Sequence, residues 1–226
     1  MSDSLSVQLQ QGAEAMGLTA NNLPLQAYLT YIDLLLEWNA AYNLTAIRDP
    51  EKMLAYHVLD SLSILPFIPE DKYQGDTRMG NSCLDIGTGA GLPGIILALA
   101  RPDTHWVLLD GNSKKTRFVN QAVLTLNLKN VEVICSRIEK YEPEDKFSII
   151  VSRAFTSLAD FFACSHHLLD RNGKLLAMKG PDPKNEISDL YEILGLTKEA
   201  VLTRTTPLVV PGITGGRSLI EVMPKR

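Results

Sequence analysis

The sequence predicts an α/β fold: a mostly parallel sheet covered by helices and preceded by a helical segment. Three observations predict it. From residue 82 onward, short apolar runs alternate with helical patterns. Residues 84–94 read Leu-Asp-Ile-Gly-Thr-Gly-Ala-Gly-Leu-Pro-Gly and stand between an apolar run and a stretch of helix formers. Residues 1–70 carry helical periodicity and no convincing strand. Strands alternating with helices imply a parallel sheet with helices on both faces.

Taken in order, Leu25, Leu29, Ile32 and Leu36 recur at three- and four-residue steps, the stripe of an amphipathic helix. A second helix is expected from Pro50, with Asp49 as its N-cap and Pro50 at the first helical position. It would present Met53, Leu54, His57, Val58 and Ser61 on neighbouring turns before Pro66 and Pro69 break the pattern. Residues 70–81 are polar and contain glycine, and read as a loop. Residues 1–70 are therefore expected to form a helical segment packed on a catalytic domain of residues 82–226. In that domain the candidate strands are 82–86, 105–110, 131–135, 147–152 and 173–179. The candidate helices are 93–101, 113–127, 157–169 and 184–194. Residues 199–206 and 217–223 are strand-like and joined by Pro207 to Gly216 without a helical crossover, so they should pair antiparallel.

Composition narrows the function classes. The 226 residues include 22 Lys and Arg against 26 Asp and Glu, a net charge of −4. Any nucleic-acid partner must then be met by local rather than general positive charge. Cys83, Cys135 and Cys164 are scattered without C-x-x-C spacing; Cys83 and Cys135 are expected as buried strand filler in a reducing cytoplasm. Met1-Ser-Asp-Ser-Leu has no basic stretch leading into an apolar core, so no secretory signal is expected. No apolar run approaches the roughly 20 residues that span a bilayer. With no exposed apolar repeat in evidence, a monomer is expected.

The glycine segment satisfies two fingerprints. Gly89-x-Gly91-x-x-Gly94 fits the dinucleotide pattern. Asp85-x-Gly87-x-Gly89-x-Gly91 resembles the S-adenosylmethionine (SAM) loop of Rossmann-like methyltransferases. One reading moves a hydride with NAD, the other a methyl group. Asp110 ends the second strand about 20 residues beyond the glycines, where a carboxylate accepts from ribose hydroxyls of either cofactor. Asp85 discriminates, because a carboxylate at the end of the first strand suits a methionyl ammonium and repels a pyrophosphate. The antiparallel tail points the same way, toward the class I methyltransferase version of the Rossmann-like sheet.

Further residues carry a closer resemblance. Asp85-Ile-Gly-Thr-Gly-Ala-Gly-Leu-Pro-Gly-Ile, Ser136-Arg-Ile-Glu and Ser152-Arg-Ala-Phe resemble the RsmG family, formerly called glucose-inhibited division protein B. Trp38-Asn-Ala-Ala-Tyr-Asn-Leu-Thr-Ala-Ile-Arg48 and His57-Val-Leu-Asp-Ser61 look like that family's N-terminal blocks, which methyltransferases at large lack. The resemblance spans about residues 25–180. It implies methylation of N7 of a guanine in 16S ribosomal RNA of the small subunit, with SAM as cofactor. It implies cofactor contacts at Gly87, Leu92, Ile138, Glu139 and Arg153, beside Asp85, Gly89, Gly91 and Asp110. Gly111-Asn112 departs from the Ser-Leu expected after that last Asp. The rival activities are methylation of a small molecule or protein, and NAD-dependent oxidoreduction.

Guanine N7 carries an in-plane lone pair and no proton, so no general base and no metal are expected, and none is assigned. Arg153 and Asn43 are the positioning candidates. RNA would be met at the strand ends by Lys114, Lys115, Arg117, Arg137 and Lys179, with Arg48 from the upstream block and Arg101 after the first helix of the sheet domain. Trp38 and Tyr42, four apart, read as packed helix aromatics, although Tyr42 could also stack on a base. His57 reads as a hydrogen-bonded structural residue. His166 and His167 lie late in a helix and face apart, which does not suit a shared metal.

Overall fold

The protein is described here by a computed structural model covering residues 2–70, 82–153, 155 and 157–225. Most of the polar loop expected at 70–81 lies outside the described residues. The chain opens with helices α1 (Ser2–Ala15) and α2 (Leu25–Tyr42). The expected α2 stripe is real but wider: Tyr28 and Tyr31 are buried along with Leu29, Ile32 and Leu35, while Leu36 packs at the border. Helix α2 ends at Asn43, whose φ of 48° is left-handed, a conformation asparagine tolerates at a helix C-terminus.

Helix α3 (Pro50–Met53) starts as expected, with the Asp49 side chain accepting from the N–H groups of Glu51 and Lys52. The expected regular helix then widens. Residues Leu54–Leu59 are π-helical and lead into α4 (Asp60–Leu62). The Asp60 N–H reaches back to the Ala55 carbonyl, one residue beyond the α-helical partner. Such bulges re-aim side chains and recur at functional sites.

The sheet domain runs β1 (Ser82–Ile86), α5 (Gly94–Ala100), β2 (His105–Asp110), α6 (Ser113–Thr125), β3 (Val131–Cys135), β4 (Phe147–Ser152), α7 (Leu158–Ser165), β5 (Leu169–Lys179), α8 (Lys184–Leu194), β6 (Val201–Leu208) and β7 (Arg217–Pro224). The seven strands lie in the order β3-β2-β1-β4-β5-β7-β6. Strands β1 to β5 pair in parallel, and β7 runs antiparallel to both β5 and β6. The expected antiparallel tail is therefore present, with β7 inserted between β5 and β6.

Two expectations are corrected. The helix expected at 157–169 stops at Ser165, a 3₁₀ turn covers His166–Leu168, and β5 begins at Leu169 rather than 173. Leu168 and Leu169 are buried against the sheet, and Leu169 pairs with Phe147 ahead of a register shift. Tertiary pairing overrides helical periodicity there. Cys83 is fully buried as expected, but Cys135 is exposed. It sits at the end of β3, the edge strand, where one face meets solvent.

The sheet has a core on each face. On one, Tyr28, Tyr31, Leu35, Val58 and Leu62 of the N-terminal helices share a cluster with Ile95, Trp106 and Phe118. On the other, Leu84, Ile150 and Ile220 pack with Phe161 and Leu190 from α7 and α8. Burial of this apolar area is the main favourable term in folding. Among the described residues no helix is long and apolar enough to cross a membrane.

Candidate active site

Strand order reverses between β1 and β4, and ligands of open α/β sheets bind beyond the strand ends at that point. The glycine corner leaves β1 there. The N–H groups of Gly87 and Thr88 both donate to the Leu109 carbonyl, 2.8 and 3.0 Å away, tying the corner to β2. The Leu92 N–H closes the turn onto the Thr88 carbonyl at 2.8 Å. Gly91 has a φ of 84°, and a Cβ there would strike Ile95. A Cβ on Gly94 would collide with Leu108 and stand 2.8 Å from Asp85 Oδ2. Gly94 thus lets α5 press against the sheet.

Asp85 is completely buried. Its Oδ2 accepts the Thr88 hydroxyl at 2.6 Å and the Gly94 N–H at 3.0 Å. Its Oδ1 is buried and accepts no hydrogen bond from the described residues. Burial pushes its pKa up from 3.8 to about 6, against the opposing pull of Thr88, Gly94 and the Arg153 charge. One oxygen therefore holds the turn, and the other is an acceptor in want of a donor. That is what the ammonium of a methionyl group would satisfy, so the corner fits SAM.

Asp110 uses both oxygens locally. Oδ2 accepts the Gly89 N–H at 2.9 Å and lies 3.8 Å from Lys115 Nζ, and Oδ1 accepts the Asn112 N–H at 2.8 Å. Each carboxylate oxygen has further lone-pair capacity, so the loop bonds leave room for hydroxyl donors. Ile138 is buried in the second core and Glu139 is exposed beside it, on the 3₁₀ turn Ile138–Lys140 after β3.

Arg153, just past β4, is the hub of a second group. Its guanidinium donates to the Tyr56 carbonyl at 2.9 Å and to Asp60 Oδ2 at 3.3 Å. Asp60 Oδ1 accepts Arg217 Nε at 3.0 Å, and the Arg217 guanidinium lies 5.9 Å above the Tyr56 ring. One buried carboxylate therefore aims two arginines. These residues line a cavity of about 490 Å³ with His57, Phe155, Met178, Lys179 and Glu186. His57 bonds Thr45 Oγ1 at 3.0 Å. Burial, aided by the Arg153 charge, lowers its pKa to about 4, so the imidazole is neutral at physiological pH.

The expected RNA-facing charges divide. Lys114, Arg117, Arg137 and Arg48 are exposed. Lys115 is drawn toward Asp110, and Arg101 pairs with Glu70 at 3.5 Å. Lys179, expected on the rim, is instead inside. Its side chain is 10% exposed, and it pairs with Glu186 at 2.6 Å and donates to the Phe155 carbonyl at 3.0 Å. Asn43 caps α2 and accepts from Arg48 at 3.3 Å; the cavity takes Ile47 from that block. Tyr42 stacks on Trp38 at 5.2 Å, and Trp38 packs on Phe118, so the pair are packed aromatics. His166 stacks on Phe162 and its Nδ1 lies 2.9 Å from the Phe162 carbonyl. Among the described residues no group of three or more His, Cys, Asp or Glu could hold a metal ion.

A family model described as rRNA small subunit methyltransferase G (GidB) matches residues 25–208. The chain belongs to this family. Ribosomal RNA small subunit methyltransferase G of Chromobacterium violaceum is 43% identical over 218 residues, covering 96% of this chain and 97% of that protein. The protein of that name in Ectopseudomonas mendocina is 44% identical over 213 residues, covering 94% and 93%. Among solved structures, an O-methyltransferase from Bacillus cereus in complex with SAH has a TM-score of 0.59 at 19% identity. The match covers 87% of this chain and 91% of that one, and shows a shared fold.

Sequence reasoning misses Asp60, Arg217, Tyr56 and Glu186, which the fold brings to the cavity. Asp60 lay in the quoted His57–Ser61 block, so its position was flagged but not its task. Arg217 is separated from Asp60 by 157 residues, and only the β5–β7 pairing brings it to the cavity.

Proposed function

We propose that the protein methylates N7 of a guanine in 16S ribosomal RNA of the small ribosomal subunit, with SAM as methyl donor. The observation that carries this is the junction at Arg153. Its charge acts on Asp85, whose buried Oδ1 is without a donor among the described residues at the glycine corner, and its guanidinium lines a cavity large enough for a base. Family membership supplies the ribosomal substrate class and argues against a small-molecule or protein acceptor. The acid at the end of β1 and the antiparallel β7 argue against NAD.

When bound, SAM supplies an electrophilic methyl group on a sulfonium. The residues to hold it are Asp85 Oδ1 for the ammonium, the Gly87–Leu92 turn for close backbone approach, Asp110 for the ribose, and Ile138 and Glu139 beside the adenine. Arg153 stands between these and the cavity. The acceptor nitrogen has no proton to lose, so the cavity wall needs no base, in keeping with a His57 that stays neutral and tied to Thr45. The work of the chain is placement, which can supply several kcal/mol of a barrier by fixing the approach of the reacting atoms. A stacked or tertiary-paired guanine must be turned out to reach the cavity. Arg153 and Arg217, oriented by Asp60, are placed to meet the negative charge that comes with it, and Lys114, Arg117, Arg137 and Arg48 are the outer RNA contacts. The site needs no metal, works in the cytoplasm and is complete in one chain.

The test supplies labelled SAM with unmodified small subunits or naked 16S RNA and maps the label by N7-specific strand cleavage. Label at a single guanine N7 is expected. Label on protein, or at another atom, overturns the proposal.

A further inference from the structure

The placement of Lys179 and Glu186 invites a question about recognition. Lys179 leaves β5 with its side chain 10% exposed, and Glu186 comes from the first turn of α8, 31% exposed. Their charged ends meet at 2.6 Å on the wall of the cavity. The wall's other carboxylate, Asp60, has one oxygen on Arg153 and the other on Arg217. Glu186 is differently placed. Its Oε2 is buried against the Lys179 ammonium, which also donates to the Phe155 carbonyl. Its Oε1 accepts nothing from the described residues. The wall thus presents one carboxylate oxygen, Glu186 Oε1, with free lone pairs beside an ammonium.

This polarity matches one base. The Watson–Crick edge of guanine offers two donors, N1–H and the N2 amino group, beside an acceptor, O6. Adenine offers the reverse, an acceptor N1 beside a donor amino group, and would set its N1 lone pair against the carboxylate. Cytosine and uracil each lack the adjacent pair of donors. The Watson–Crick edge is also remote from N7, so a base gripped there keeps N7 uncovered. Unpaired polar groups in a closed site penalise the analogue that cannot satisfy them, which is the strongest source of discrimination a pocket can build.

We propose that Glu186, with Lys179 beside it, is the specificity-determining residue that reads the Watson–Crick edge of the target guanine. Glu186 Oε1 accepts from N1–H and N2–H, and Lys179 donates to O6. The assignment rests on the guanine-N7 reading above.

The test uses small subunits reconstituted with guanosine or inosine at the mapped target. Inosine lacks the N2 amino group and keeps N1–H, O6 and N7. The wild-type enzyme is expected to prefer guanosine about 10-fold in kcat/KM, the worth of a hydrogen bond to a charged group. Glu186→Gln places an amide donor against the N2 amino group. It is expected to lower kcat/KM on guanosine about 10- to 100-fold and to abolish the preference over inosine. Glu186→Ala removes the acceptor and is expected to abolish the same preference. Unchanged SAM affinity in both variants reports an intact fold, and a merely structural Glu186 would not move the guanosine-to-inosine ratio. Variants that keep the wild-type ratio overturn the assignment while leaving the guanine-N7 reading in place. A wild-type enzyme that does not label guanine N7 overturns that reading first.

Discussion

Asp85→Asn separates the two jobs of the buried carboxylate. In the folded chain its pKa is raised from 3.8 to about 6, with burial the largest cause. A raised acid pKa means the folded state holds its proton more tightly than the unfolded state does. The group's contribution to stability is thus fully present below pH 3.8 and is lost as pH rises through 6. The full loss is about 3 kcal/mol at 1.36 kcal/mol per unit, of which roughly half falls between pH 5 and 8. Asparagine cannot ionise, so this dependence disappears. Its carbonyl can still accept from Thr88 and Gly94, while its amide is left without an acceptor, at a cost of about 1–3 kcal/mol at every pH. Urea unfolding of both proteins at pH 5 and pH 8 checks this. The stability of the variant relative to wild type should improve by roughly 1–2 kcal/mol on going to pH 8. Calorimetry at pH 8 should show SAM affinity lowered about 10- to 100-fold, because the ammonium loses a charged acceptor. In the wild type, SAM affinity should fall as pH drops from 7 to 5 and Asp85 takes up a proton. A stability difference that ignores pH, or a variant that binds SAM as wild type does, would refute the placement of a lone carboxylate oxygen at the cofactor corner.

Three other outcomes are expected. Gly94→Ala puts a methyl group into Leu108 and Asp85 and should cost about 1–3 kcal/mol in denaturant unfolding, with SAM binding weakened in parallel. Asp60→Asn frees both arginines from a charged partner; it should destabilise by about 1–3 kcal/mol and reduce kcat on small subunits more than it changes SAM affinity. A variant whose turnover matches wild type removes Asp60 from the positioning role. Tyr31→Phe deletes the hydroxyl that donates to the Ala90 carbonyl at 2.7 Å, which should cost about 1 kcal/mol and raise the KM for SAM several-fold with little change in kcat. An unaltered KM would show that the N-terminal helix does not brace the glycine corner.

The parts of the fold legible in the sequence are those set by local chemistry. Asp49 and Pro50 start α3, and the strand–glycine–helix corner at Asp85–Gly94 forms where its spacing puts it. The antiparallel tail followed from a connection too short for a crossover. What escaped depends on long-range pairing. The Phe147–Leu169 register extends β5 backward over residues whose own periodicity is helical. Cys135 is apolar filler in composition, yet it is exposed because β3 is an edge. Lys179 counts as one more cation at a strand end until α8 delivers Glu186 against it. Charge in a sequence gives a sum, whereas a site depends on which opposite charges fold onto each other.

That distinction bears on why a helical segment accompanies this sheet. The sheet domain by itself places Arg153 just past the end of β4 and Arg217 at the start of β7, on either side of β5, where two like charges repel. Asp60, from the N-terminal segment, lies between them with one oxygen for each. The π-helical widening immediately before it re-aims Tyr56, whose carbonyl takes a further Arg153 proton, and His57, which is held neutral by burial beside Arg153. From the same segment, Tyr31 braces the Ala90 carbonyl inside the glycine corner. The corner and the cavity therefore both depend on side chains that arrive before the first strand. The glycine corner at 84–94 cannot by itself account for the neighbouring cavity, because the electrostatics of that cavity are assembled from Asp60 on one side and the β5–β7 pair on the other.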